Sequence, residues 1–226
     1  MKILGFLGSP RLNGNCSKLL RKALDGAESA GAETKLFELI NYNIMDCRGC
    51  SNCFLNNPDL LIGECSLKDD AASILEEYIK ADGYLFASPV YDMYVTALMK
   101  RFLERKIALT YRVPDSGIML PFSRVPANFK KKASMIVTGN CSDEFSEEMG
   151  GPCYEAMETH LMFEQVDTVD KLFVGSVETI TKEAFSERMN TAYQMGIRLV
   201  KKSREGRRGV GEGLHQHHRG RTKLSN

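Results

Sequence analysis

The chain has 226 residues, 43% hydrophobic and 26% charged, with a formal net charge of +1, an ordinary globular composition with room for one sizeable core. No apolar run approaches the roughly 20 residues of a membrane-spanning helix. The short run "KILGFL" is cut off by Pro10 and Arg11, too early for a secretory h-region, so the expectation is a cytoplasmic protein with no membrane partner.

In chain order, Lys2 to Gly8 reads as a buried strand. Cys16 to Ala30 carries Leu19, Leu20, Ala23, Leu24 and Ala27 at helical spacing, and Gly31 follows as a terminator. "ETKLFELI" reads as a second strand, and a cysteine-rich loop follows it. "DDAASILEEYIK" is a helix opened by Asp69 and Asp70, carboxylates that suit the positive end of a helix dipole. "GYLFASP" is a third strand and Val95 to Leu109 a helix. "KKASMIVTG" is a fourth strand, and "SEEMGGPCYEAMETHLMF" holds an irregular helix. "VDKLFVGSV" is a fifth strand, and Thr181 to Ser203 a last helix. Such alternation predicts an α/β fold with helices on both faces of a parallel sheet. Five units predict a doubly wound five-stranded sheet of order 2-1-3-4-5. Residues 1–204 form one domain, with a cysteine-rich insert at 47–65 and a long Pro-containing loop at 110–131. A loop of that length inside a domain is usually functional.

The charge is unevenly placed. Lys201 to Asn226 holds eight Lys or Arg and two Glu, or +6, which leaves about −5 for the rest. Residues 205–226 have almost nothing to bury, and disorder is the expectation. A metal ion on His215, His217 and His218, or a contact of the basic run with nucleic acid, are weaker alternatives.

The loop "GSPRLNGNCSKLL" joins the first strand to the first helix. In doubly wound sheets ligands bind at the carboxyl ends of the strands, and a helix N-terminus there attracts anions through its free N–H groups. Ser9, Asn13, Asn15 and Ser17 can donate to oxygen, and Arg11 can make a charge-assisted pair. The loop is neither a dinucleotide fingerprint nor a P-loop. After the third strand, Pro89, Val90, Tyr91 and Asp92 form an apolar and aromatic turn suited to a flat heterocycle. After the fourth, Thr138, Gly139 and Asn140 approach the same place.

Together "GSPRLNGNCSKLL", "CRGCSNC", "CSLKDD" and "ADGYLFASPVYDMYVTALMKRFLER" resemble the NADPH-dependent FMN reductase and iron–sulfur flavoprotein family. The resemblance covers most of residues 1–200, in order. It implies a flavodoxin-like fold that binds FMN noncovalently, with NAD(P)H as electron donor. By the same resemblance Ser9, Arg11, Asn15, Cys16 and Ser17 fall on the phosphate loop. Pro89, Val90, Tyr91 and Asp92 fall on the isoalloxazine loop, and Thr138 and Gly139 on a third loop. Cys16 stands where the family pattern has a threonine or serine; a thiol is a poorer donor, which leaves the contact there to backbone N–H.

Of the seven cysteines, Cys47, Cys50, Cys53 and Cys65 lie within 19 residues. The spacing C-x2-C-x2-C lets three thiolates converge on an iron–sulfur cluster, with a fourth from farther along. Here the fourth is delayed by "FLNNPDLLIGE". A [4Fe–4S] cluster, a zinc site and reduced thiols stay open on sequence; Arg48 would lower thiol pKa values in each case. The resemblance places such a cluster after the second strand, passing electrons to the flavin.

The sequence thus predicts an FMN-dependent NAD(P)H oxidoreductase or iron–sulfur flavoprotein acting on a small-molecule or protein electron acceptor, with nucleic acid not expected as a partner. The cofactor carries the chemistry, and no side chain stands out as a catalytic acid or base. The alternative is a non-catalytic FMN electron carrier serving a protein partner. The apolar row Ile118, Met119, Leu120, Pro121, Phe122 marks an interface or ligand wall, and the expectation is a homodimer or homotetramer.

Overall fold

A computed structural model of the protein describes residues 1–53, 60–111, 122–125 and 130–213. Five long parallel strands form the sheet: β1 (Lys2–Leu7), β2 (Glu33–Glu38), β3 (Gly83–Tyr91), β7 (Lys131–Thr138) and β8 (Val166–Val174), in the order β2-β1-β3-β7-β8. This is the predicted 2-1-3-4-5 order. The register is in step across the centre, with Phe6 beside Phe37 and Phe86, and Phe86 beside Met135.

Central strands are covered on both faces, so they read as unbroken apolar runs. Alternate residues then feed two cores. Leu4, Phe6, Tyr84, Phe86, Met135 and Val137 pack under α2 (Ala71–Lys80), α3 (Ala97–Arg105) and α4 (Ser146–Phe163). Ile3, Leu7, Leu85, Ala87, Ile136 and Leu172 pack under α1 (Asn15–Ser29) and α5 (Lys182–Gly213). Phe6 sits at the centre of the first core, its ring 4.8 to 5.3 Å from those of Phe37, Phe86 and Phe102.

Four elements differ from the sequence expectation. The chain after β3 does not lead straight into a helix: β4 (Tyr94–Val95) first folds back antiparallel on Val90 and Tyr91. The base of the 110–131 segment is a small hairpin, β5 (Thr110–Tyr111) with β6 (Phe122–Ser123); residues 112–121 and 126–129, with most of the apolar row, lie outside the described residues. The fifth strand begins at Val166, three residues before the expected Val169, and ends at Val174 rather than Val177. Its pairing with β7 carries a bulge at Ala133/Ser134, which masks the alternation of "VDTVDKLFV". The last helix, expected to end at Ser203, runs on to Gly213. His215, His217 and His218 are outside the described residues.

Candidate functional site

The carboxyl ends of β1, β3, β7 and β8 surround one cavity of about 310 Å³, within the usual range for small-molecule sites. Its first wall is the loop after β1. Gly14 is the N-cap of α1 and supplies no capping side chain, and the first turn holds no acidic residue. The N–H groups there are left for a ligand. Ser9 Oγ accepts from Arg11 N–H at 3.1 Å and shapes the turn. The Arg11 guanidinium makes no hydrogen bond or ion pair among the described residues and stands exposed at the lip.

Asn15 does something the sequence did not suggest. Its amide donates to the Val177 carbonyl at 2.6 Å and so ties the start of α1 to the loop after β8. Cys16 is 4% exposed and lines the floor. Burial pushes its thiol up to about 12, with a hydrogen bond to Thr138 as a smaller opposing effect. It is a neutral wall between two loops.

The second wall is the β3–β4 hairpin. Thr96 caps α3 by accepting from Met99 N–H at 3.1 Å, and its hydroxyl donates to the Gly8 carbonyl at 2.5 Å. Ser88 Oγ accepts from Thr96 N–H at 3.2 Å. These buried bonds lock the ends of β1 and β3 and the start of α3 together, so Pro89, Val90 and Tyr91 face the cavity at a fixed depth. At the hairpin tip Asp92 and Met93 both have positive φ, 47° and 65°, the geometry of a two-residue primed turn.

Thr138, Gly139 and Asn140 form the third wall, and Val177 and Glu178 a fourth. The last two are stitched in place: Val177 N–H donates to Gly139 O at 3.2 Å, and Asn140 Nδ2 to Glu178 Oε2 at 2.9 Å. Of the predicted residues, Ser9, Arg11, Asn15, Cys16, Pro89, Val90, Tyr91, Thr138 and Gly139 line this one cavity. Ser17 and Asp92 do not. Ser17 is 1% exposed, its Oγ accepting from Arg21 Nε at 3.3 Å. Gly14, Val177 and Glu178 are additions. The carboxyl-end rule applied to the fifth strand would have found the last two.

A second, smaller cavity of about 100 Å³ lies in the insert. Cys47, Cys50, Cys53 and Cys65 all line it, with Arg48, Leu67 and Arg105. Gly49 and Ser51 have positive φ, 63° and 60°. Left-handed residues on both sides of Cys50 are of the kind found in backbone nests, which hold anions and iron–sulfur centres. Leu67 N–H meets Cys65 Sγ at 3.5 Å, and Cys50 Sγ lies 3.5 Å from Ser66 Oγ. The Ser66 contact is the main cause that lowers the Cys50 thiol's pKa. Burial raises that of Cys53, with further contributions from Cys65, Cys47 and Cys50. Cys53 thus feels the other three sulfurs, yet among the described residues no three His, Cys, Asp or Glu groups converge closely enough for a single metal ion.

Comparison with known proteins agrees with this geometry. The chain is 38% identical over 117 residues to an iron-sulfur flavoprotein of Archaeoglobus fulgidus, covering 52% of this chain and 50% of the relative. It is 36% identical over 105 residues to an iron-sulfur flavoprotein of Methanocaldococcus jannaschii, covering 46% and 51%. The chain spans about half the length of the curated relatives it matches. In fold it is similar to an NAD(P)H:quinone oxidoreductase of Methanothermobacter marburgensis, with a TM-score of 0.63 at 14% identity over 88% of this chain and 98% of the other. The family model for NADPH-dependent FMN reductases matches residues 1–140, which takes in β1 to β7 and three walls of the cavity, and the chain belongs to that family.

Proposed function

We propose that the protein is an FMN-dependent NAD(P)H oxidoreductase of the iron–sulfur flavoprotein kind. The observation that carries this reading is the polarity of the larger cavity. One end offers an uncapped helix N-terminus and Arg11, without a partner among the described residues, a match for a terminal phosphate. The other end offers Pro89, Val90 and Tyr91, a match for a flat ring. Bound FMN supplies the redox chemistry, accepting electrons from a nicotinamide and giving them to an acceptor. The chain's own residues bind and orient: Arg11 and the first turn of α1 hold the phosphate, Cys16 and Thr138 close the floor, and Tyr91 flanks the ring.

The cysteine cavity supports a [4Fe–4S] cluster on Cys47, Cys50, Cys53 and Cys65. The Leu67 N–H, the Ser66 hydroxyl and the Arg105 guanidinium beside separated thiols suit a multi-iron cluster, whose potential depends on hydrogen bonds to its sulfurs. A zinc ion would need the ligands drawn to one point, which the described cysteines are not. A homodimer or homotetramer belongs to the same proposal. The half-exposed Tyr91 and Met93, 44% and 54%, also suit an electron carrier that docks a protein partner.

The visible spectrum of anaerobically purified protein tests the reading. Two flavin bands are expected, with a broad shoulder that dithionite bleaches. NADPH or NADH should bleach the flavin, and a quinone should restore it. Colourless protein would sink the proposal. Yellow protein inert to both nicotinamides would favour the carrier.

A further inference from the structure

Arg105 is a buried cation that the flavin cavity does not use. It ends α3 and is 2% exposed. Its guanidinium forks onto Asp69, with Nη2 to Oδ1 at 3.1 Å and a shorter contact from Nη1 to Oδ2, and Nη1 also donates to the Met45 carbonyl at 2.9 Å. Asp69 is fixed in turn by N–H groups of Met45 at 2.8 Å and Ala71 at 3.1 Å. So held, Arg105 forms part of the wall of the cysteine cavity that Cys65 also lines.

A buried pair of this kind seldom adds stability over apolar packing. Its placement therefore asks for another reason. Cys65 Sγ accepts from Leu67 N–H, and Arg105, on the wall of the same cavity, brings a full positive charge in a nearly dry site. Its side chain cannot swing away, because the carboxylate and the carbonyl grip its far side.

We propose that Arg105, clamped by Asp69 on the cavity wall, sets the reduction potential of the centre bound in the cysteine cavity. The inference rests on the cluster reading above. Reduction adds one electron, with no bond made or broken. Dithionite supplies that electron in a titration. The added negative charge spreads onto the thiolate sulfurs, and a guanidinium on the cavity wall favours the reduced form. Arg105 raises the potential; Asp69 moderates it from behind. The two residues should therefore shift it in opposite directions, which a merely structural pair would not do.

The test is a potentiometric titration of the full-length protein, followed by electron paramagnetic resonance, with iron, sulfide and FMN counted per chain. Arg105→Gln should move the midpoint to more negative values, and Asp69→Asn to more positive ones, with FMN retained in both. Arg105→Lys keeps the charge and loses the fork, so it should lie between Arg105→Gln and the wild type. If Arg105→Gln fails to fold around its unpaired Asp69, the double variant Arg105→Gln/Asp69→Asn, which leaves no buried charge, decides by a negative shift. Midpoints unchanged at full iron content, or shifted in the same direction by both single substitutions, would overturn the proposal. Iron lost from the double variant with FMN kept would overturn it too, leaving Arg105 a structural prop. A wild-type protein free of iron would instead overturn the cluster reading itself, and this inference with it.

Discussion

Arg11 stands at the lip of the larger cavity with no partner of its own among the described residues. A charge-assisted bond of about 1.5 to 3 kcal/mol is then available to a phosphate and absent for riboflavin. Arg11→Ala should weaken FMN by that amount and leave riboflavin nearly unchanged, as measured by fluorescence quenching; equal weakening of both would mean that no phosphate lies there. His160 shows a different use of charge. Burial first, then Lys106 and Lys100, lower its pKa to about 4, below an unfolded value near 6.5. Between those values the unfolded chain binds the extra proton, so the stability held above pH 6.5 is lost as pH falls towards 4. His160→Gln should flatten this acid limb by of order 2 kcal/mol, read from urea midpoints at pH 7 and pH 4.5. At this scale the sequence was legible wherever a residue type has one use. Arg11 is such a residue. Asn15 is not: as a phosphate donor it looked like its neighbours, and only the fold brings Val177 within reach.

Among the elements, α1 and α5 pack most closely. A Cβ at Gly196 would lie 1.8 Å from the Ala23 carbonyl oxygen, and one at Gly26 would lie 2.0 Å from that of Tyr193. Both obstacles are backbone and cannot turn aside. Gly196→Ala gains about 1 kcal/mol of helix propensity but must push two helices apart, an overpacking cost of about 3 kcal/mol. A fall of about 2 kcal/mol in denaturant stability is expected, and an unchanged midpoint would show that the helices are not in contact there. Helix α3 links the two cavities. Its cap Thr96 bonds Gly8 at the end of β1, beside the larger cavity, and its last residue lines the cysteine cavity. Nine residues at 1.5 Å each set those ends about 13 Å apart. The β3–β4 hairpin escaped the sequence because its turn is Asp92-Met93, without the glycine that marks a primed turn.

For the whole molecule, the proposed assembly rests on apolar surface left uncovered around the larger cavity. Tyr91, Met93 and Tyr94 on the hairpin are 44%, 54% and 38% exposed, and Phe145, just before α4, is 53% exposed. A cluster of that kind marks an interaction surface more often than a solvated one. Light scattering of the FMN-bound protein at micromolar concentration should give at least twice the 25.3 kDa chain mass. A monomer mass would overturn the homo-oligomer, and Met93→Lys should lower the mass if the hairpin lies in the interface.

The sequence by itself determined the order and type of the long elements. Buried parallel strands must be apolar throughout, and their helices must be apolar on one stripe, so both patterns are local and readable. It also pointed to the loops after β1, β3 and β7, which line the larger cavity, because ligands of doubly wound sheets sit at the carboxyl ends of the strands. Only the tertiary structure decided which residues of those loops face inward. Ser17 and Cys16 are adjacent, yet one lines the cavity and the other lies beneath Arg21, because successive helical positions point about 100° apart. Only the tertiary structure, too, brought Val177 and Glu178 to Asn15 and Asn140, and Arg105 to the cavity that Cys65 lines. Each of these pairs joins parts of the chain 38 or more residues apart, and no spacing rule reaches over that distance.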